Sequence, residues 1–137
     1  MPRSVVYAHP KITVWHYPTP GLIHHLVHEP CAGETFREAL TAGTDAMMLR
    51  RADRWLSDDR ANGPLTATDE DWGTKVWFPR TLLAGWRYWG VVMPTQALGQ
   101  LDVMHFVELY REQGIVTRVF DDPDEAFAWI SAPTPAS

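Results

Sequence analysis

At 137 residues the chain is sized for one domain, whose core can bury roughly two-thirds of the surface that the unfolded form exposes. Hydrophobic residues at 45% and charged residues at 21% exclude a disordered chain, and a formal charge of -5 excludes a nucleic-acid surface built on clustered Lys and Arg. Cys31 is the single cysteine, which rules out an intrachain disulfide and a multi-thiolate metal site and suits a reducing compartment. No stretch approaches the ~18 apolar residues of a membrane span, and the first residues lack the apolar run of a secretory signal, so a cytoplasmic protein is expected.

The first ten residues carry a short apolar run, Val5-Val6-Tyr7, before His9-Pro10, and read as a peripheral strand or an arm. Residues 12–17, rich in β-branched and aromatic side chains, and residues 22–28 read as strands joined across Pro18-Thr19-Pro20-Gly21 in an antiparallel hairpin. Over 34–50, Phe36, Leu40, Gly43 and Met47 recur at helical spacing, with Glu34 early and Arg50 late as the helix dipole favours. A short apolar strand over 54–58 then runs into a loop holding Asp58, Asp59, Arg60 and the turn Asn62-Gly63-Pro64.

Thr68 with Asp71 three residues on has capping-box spacing, and Asp69, Glu70 and Asp71 set negative charge at a helix start. The predicted inward face of that helix runs through Trp72, Val76, Pro79 or Arg80, and Leu83, and Pro79 must kink or restart it. Residues 88–93 form a central strand by their continuous apolar character. Residues 100–113 follow as a helix, with Leu101, Met104 or His105, Phe106 or Val107, and Tyr110 turned inward. Residues 115–120 alternate as a strand, and Asp122-Pro123-Asp124-Glu125 launches a short helix through Ile130. Residues 132–137 read as a flexible tail. A hairpin followed by repeated helix-strand units predicts an α/β fold. Its sheet is mixed and mainly parallel, of about five strands with an N-terminal antiparallel hairpin, flanked by about four helices in a single domain with its core at about 12–131.

Four residues, His24, His25, His28 and Cys31, are suited chemically to zinc. On a strand, however, His24 and His28 stand about 13 Å apart and His25 points to the other face, so the histidines read as solvent-facing, with no metal and no cofactor. No GxSxG, GxGxxG or GxxxxGK occurs, which leaves neither a nucleophile elbow nor a phosphate cradle. Asp58 and Asp59 are adjacent in extended chain and diverge. A small hydrolase using one of them with His105 is the weakest of the readings. Among the aromatics, Trp77 and Phe78, beside Arg80, lie off the predicted inward face and read as candidates for an interface or pocket.

The residues at 55–60, 68–72, 77–80, 84–94 and 120–130 (WLSDDR, TDEDW, WFPR, AGWRYWGVVMP and FDDPDEAFAWI) are ordered like the recurring motifs of a bacterial group of uncharacterised STAS-like proteins, and the chain resembles that group over roughly 21–130. The resemblance implies the fold of anti-sigma-factor antagonists and of the related CRAL-TRIO lipid-binding class, a mixed sheet flanked by helices, and implies no catalysis. The chain departs from phosphorylated antagonists in lacking D-S-x-G-L, although a threonine, Thr66 or Thr68, stands at the equivalent helix start. The expectation is a non-enzymatic regulatory domain that binds a protein partner, a second copy of itself or a small ligand around Asp58, Asp59, Arg60, Thr66, Thr68, Trp77, Phe78 and Arg80. The alternative is a binder of an apolar or lipid-like ligand between helix and sheet.

Overall fold

Antiparallel pairing starts earlier than the expected hairpin. In the computed structural model, which describes residues 1–136, the first apolar run is itself a strand, β1 (Ser4–His9). It turns at Pro10-Lys11 into β2 (Ile12–Tyr17), which pairs with β3 (Leu22–Val27) across the proline-rich turn. The sheet then continues in parallel through β4 (Arg54–Asp58), β5 (Tyr88–Val92) and β6 (Val116–Phe120). Six strands therefore lie side by side in chain order, one more than the sequence suggested.

Three helical connections join the parallel strands: α1 (Glu34–Arg50), the paired α2 (Ala67–Trp72) and α3 (Phe78–Leu83), and α4 (Ala97–Glu112). Their inward residues share one core with the sheet face that carries Ile23, Trp55, Trp89 and Val91. The last helix, α5 (Pro123–Ile130), covers the opposite face, where Ala126, Trp129 and Ile130 meet Leu22, Leu56 and Val92. Asp122 caps it by accepting from the Asp124 N–H at 2.9 Å, and Pro123 opens it as expected. No helix among the described residues is long and apolar enough to cross a membrane.

The expected face of the second helical stretch is corrected. Thr66, not Thr68, is its N-cap, accepting from the Asp69 N–H at 3.1 Å. Between α2 and α3 the backbone opens into a π-helical turn over Gly73–Trp77, closed by the Phe78 N–H on the Gly73 carbonyl. Pro79 has no N–H to give, so the helix restarts around it with a wider turn. The extra residue rotates the face: Asp69, Gly73, Trp77, Phe78 and Thr81 turn inward, while Val76 and Leu83 are exposed. On α4, Leu101 is likewise exposed, and Phe106, Val107 and Tyr110 are buried.

Trp55, Trp77, Trp86 and Trp89 cluster on the sheet face covered by α1–α4. Trp77 meets Trp55 and Trp86 edge-on, each at 5.2 Å, and Phe78 stacks on Tyr110 at 4.1 Å. Each indole N–H in the cluster has an acceptor: Trp55 on His25, Trp77 on the Leu40 carbonyl, Trp86 on the Tyr88 carbonyl and Trp89 on Ser57. The chain end is tied down as well. Buried Arg54 donates to the carbonyls of Ile130, Ala132 and Pro133, and the Trp129 N–H donates to the Ala136 carbonyl at 2.8 Å. Residues 132–136 are thus held against the fold instead of forming the expected loose tail.

Candidate functional site

Because β3, β4 and β5 are parallel, their carboxyl ends meet at one edge, where open α/β sheets bind ligands. There the helix-side face encloses a cavity of about 80 Å³ beneath α1, α2 and α4. Register builds its floor: His25 stands opposite Ser57, and Ser57 opposite Val91. Alternate residues of a strand share a face, so Trp55, Ser57 and Asp59 project together, with Asp59 kept in line by its N–H on the Val92 carbonyl at 3.1 Å. Trp77, Trp89, Phe106 and Tyr110 supply apolar walls. Burial pushes the Tyr110 phenol well above its usual range, so that wall stays neutral.

The polar groups are fixed by named partners. The Trp55 indole N–H donates to His25 Nδ1 at 3.0 Å, and an indole can only donate. The imidazole proton therefore sits on Nε2, which donates to Asp59 Oδ1 at 2.7 Å. Both ring nitrogens are engaged, so His25 orients the Asp59 carboxylate and has none left to take a substrate proton. Ser57 Oγ accepts from the Trp89 N–H at 2.8 Å, and Asn62 Oδ1 accepts from the Cys31 N–H at 3.1 Å. Fully buried Asp69 accepts from the Gly33 N–H at 2.8 Å and from Arg37 Nη1 at 2.7 Å, which joins α2 to the N-terminus of α1. Asp102, on α4, accepts from the Leu65 N–H at 2.9 Å.

The sequence-predicted residues divide between this cavity and other places. Asp59 lines it. Its neighbour Asp58 turns to the α5 side and takes both guanidinium contacts of Arg60, each at 2.9 Å. Thr66 and Thr68 are exposed on the first turn of α2, outside the cavity lining. Trp77 and Phe78 are buried, because the π-helical turn brings them inward, so the interface reading is corrected for both, while Trp77 lines the cavity and Phe78 does not; only Arg80 of that trio is exposed, paired with Asp45 at 2.5 Å. The solvent-facing reading of the strand histidines is corrected for His25, which is buried, and for His24, which is largely so. His105 is exposed on α4 and does not line the cavity; the histidine that meets Asp59 is His25. The period-two pattern Ile23, His25, Val27 was the signal that His25 shares the apolar face. Ser57, Asn62, Asp69 and Asp102 carried no such signal.

His24 lies on the opposite face among Trp15, Tyr17 and Phe127. Burial, with help from His25 and Arg3 and against Asp58, lowers its pKa from 6.5 to about 4. The unfolded chain thus binds the proton more readily than the folded one between these values. Stability is full above about pH 6.5 and is lost as pH falls toward 4, by roughly 3 kcal/mol for this group. Urea unfolding at pH 7 and pH 4.5 checks this, and His24→Phe should flatten the difference; an unchanged slope in the variant would assign the acid sensitivity elsewhere.

No family model matches the chain, and neither a curated protein nor a solved structure matches it at a significant level.

Proposed function

We propose that the chain is a non-enzymatic, STAS-like regulatory domain that acts by binding a small ligand in the cavity at the carboxyl ends of β3–β5. The observation that carries this reading is a cavity at the strand ends whose buried polar groups are held open by partners behind them: His25 by Trp55, Ser57 by Trp89 and Asn62 by Cys31. Such an arrangement is prepared for recognition. It does not resemble a reaction centre, since His25 has no unengaged nitrogen and the hydroxyl of Ser57 has a tryptophan, not a base, as its partner. The volume favours a ligand of a few non-hydrogen atoms over a lipid-like one, which needs a pocket of about 300 Å³ or more.

Gly63 offers a direct test. It lines the cavity, has an ordinary backbone conformation, and a Cβ added there meets nothing within 4 Å. Small-molecule fragments screened by thermal shift should include compounds that stabilise the natural protein, and Gly63→Leu should fold normally yet lose their effect. If no fragment stabilises the natural protein, or if those that do act equally on the variant, this cavity is not the binding site.

A further inference from the structure

The charge of the cavity is one-sided. Asp59, Asp69 and Asp102 line it, and neither Lys nor Arg does. Asp69 has Arg37 as its counter-charge, whereas Asp59 and Asp102 have no lysine or arginine within salt-bridge distance among the described residues. Each of those two carboxylates has one oxygen engaged, Asp59 by His25 and Asp102 by the Leu65 N–H, and one without a hydrogen bond among the described residues. His25 meets Asp59 through Nε2 while its Nδ1 accepts from the Trp55 indole. Asp59 and Asp102 are half-buried, and a ligand that brings a cation adds a charge-assisted contact to the oxygen left without a partner.

Two further groups narrow the ligand. Ser57 is 3% exposed and its hydroxyl oxygen already accepts from Trp89, which leaves its proton without an acceptor among the described residues. Asn62 is 6% exposed, uses its Oδ1 on Cys31, and leaves its amide N–H groups in the same condition. Both line the cavity with Asp59. Ser57 and Asp59 are two apart along one strand direction, about 7 Å between side-chain origins, a gap that a two- or three-carbon chain bridges with a hydrogen bond at each end. Trp77 and Trp89 line the cavity, and indole rings attract organic cations. No group of three or more His, Cys, Asp or Glu among the described residues could hold a metal ion.

We infer that the cavity takes a small organic ammonium ion that also carries a hydrogen-bond acceptor, the chemistry of a short amino alcohol, with the ammonium on Asp59 and the acceptor facing Ser57 and Asn62. The inference rests on the cavity being a small-ligand site and adds the class of ligand. Water-sized spaces of about 10–15 Å³ each set the scale, so about 80 Å³ admits on the order of six non-hydrogen atoms.

The test titrates ethanolamine, its neutral counterpart ethylene glycol, and acetate into the protein while following the indole N–H resonances of Trp77 and Trp89. Ethanolamine should give saturable shifts, with ethylene glycol at least about tenfold weaker and acetate inactive, as the loss of one charge-assisted contact implies. Asp59→Asn, which keeps an acceptor for His25, should weaken ethanolamine by about tenfold or more and leave ethylene glycol unchanged. Equal binding of charged and neutral probes, or ethanolamine binding indifferent to Asp59→Asn, overturns the ammonium assignment and leaves a small-ligand cavity standing. Silence of the indole resonances to all three probes, together with a fragment screen that finds nothing, removes the cavity as a ligand site altogether.

Discussion

Trp55→Ala is expected to lower the free energy of unfolding by about 4 kcal/mol, the upper part of the range for truncating a buried large side chain. Trp55 has no exposed surface and joins three parts of the molecule. Its ring edge meets Trp77 at 5.2 Å, its N–H holds His25, and its six-membered ring rests against Gly43 of α1. The contact with Gly43 is close enough that a Cβ there would stand 2.4 Å from Trp55 Cη2, nearer than carbon atoms approach. Gly43→Ala is therefore expected to destabilise as well, by about 1–3 kcal/mol, from overpacking instead of a void. Urea unfolding measures both. A cost below about 1 kcal/mol for Trp55→Ala would mean that the tryptophan cluster is not the centre of the core. Trp55→Phe keeps most of the packing but removes the donor that fixes the His25 tautomer, so it should disturb ligand binding more than its smaller stability cost suggests.

Arg54→Ala comes next, at about 3 kcal/mol, because it removes a nearly buried guanidinium that donates to three carbonyls at the end of α5. A cation there also opposes the negative end of the helix dipole. Without it, α5 loses the fastening of its C-terminal turn, and Trp129 and Ile130 cover Leu56 and Val92 less firmly. Residues 132–136 should become rapidly cleaved by proteases, and Arg54→Lys should restore only part of the stability, since one ammonium cannot span the fork of carbonyls. Full stability in Arg54→Ala, with the chain end still protected, would show that the Trp129 bond to Ala136 and the apolar contacts hold α5 unaided.

Much of the fold was legible in local pattern. α1 begins and ends at the residues its periodicity and charge placement predict, and Asp122-Pro123 starts α5 where capping chemistry requires. The misread face of α2–α3 has a single cause: a period of 3.6 was projected through Gly73–Trp77, where the backbone runs wider to accommodate Pro79. That one residue of drift turns Trp77 and Phe78 into the core, which removes the surface interface expected of them and sets Trp77 against the cavity. In the candidate site, Asp59 was legible as a loop carboxylate at a strand end, and its divergence from Asp58 followed from the extended backbone. His25 was legible only through its apolar neighbours two residues away on each side.

The chain's own pattern sets the α/β class, the order of elements and most of their ends, because periodicity, capping and turn chemistry act within a few residues and are written locally. What the cavity contains was decided at a distance. His25 and Trp55 belong to two strands, Asp59 and Asn62 to the loop after the second of them, and Asp69 and Asp102 to two helices. Only the parallel register of β3, β4 and β5 and the packing of α1, α2 and α4 over it bring them together. The same packing set Asp59 and Asp102 in the lining of one cavity to which no lysine or arginine of the described residues contributes, a property of the assembled space that no stretch of the sequence carries by itself.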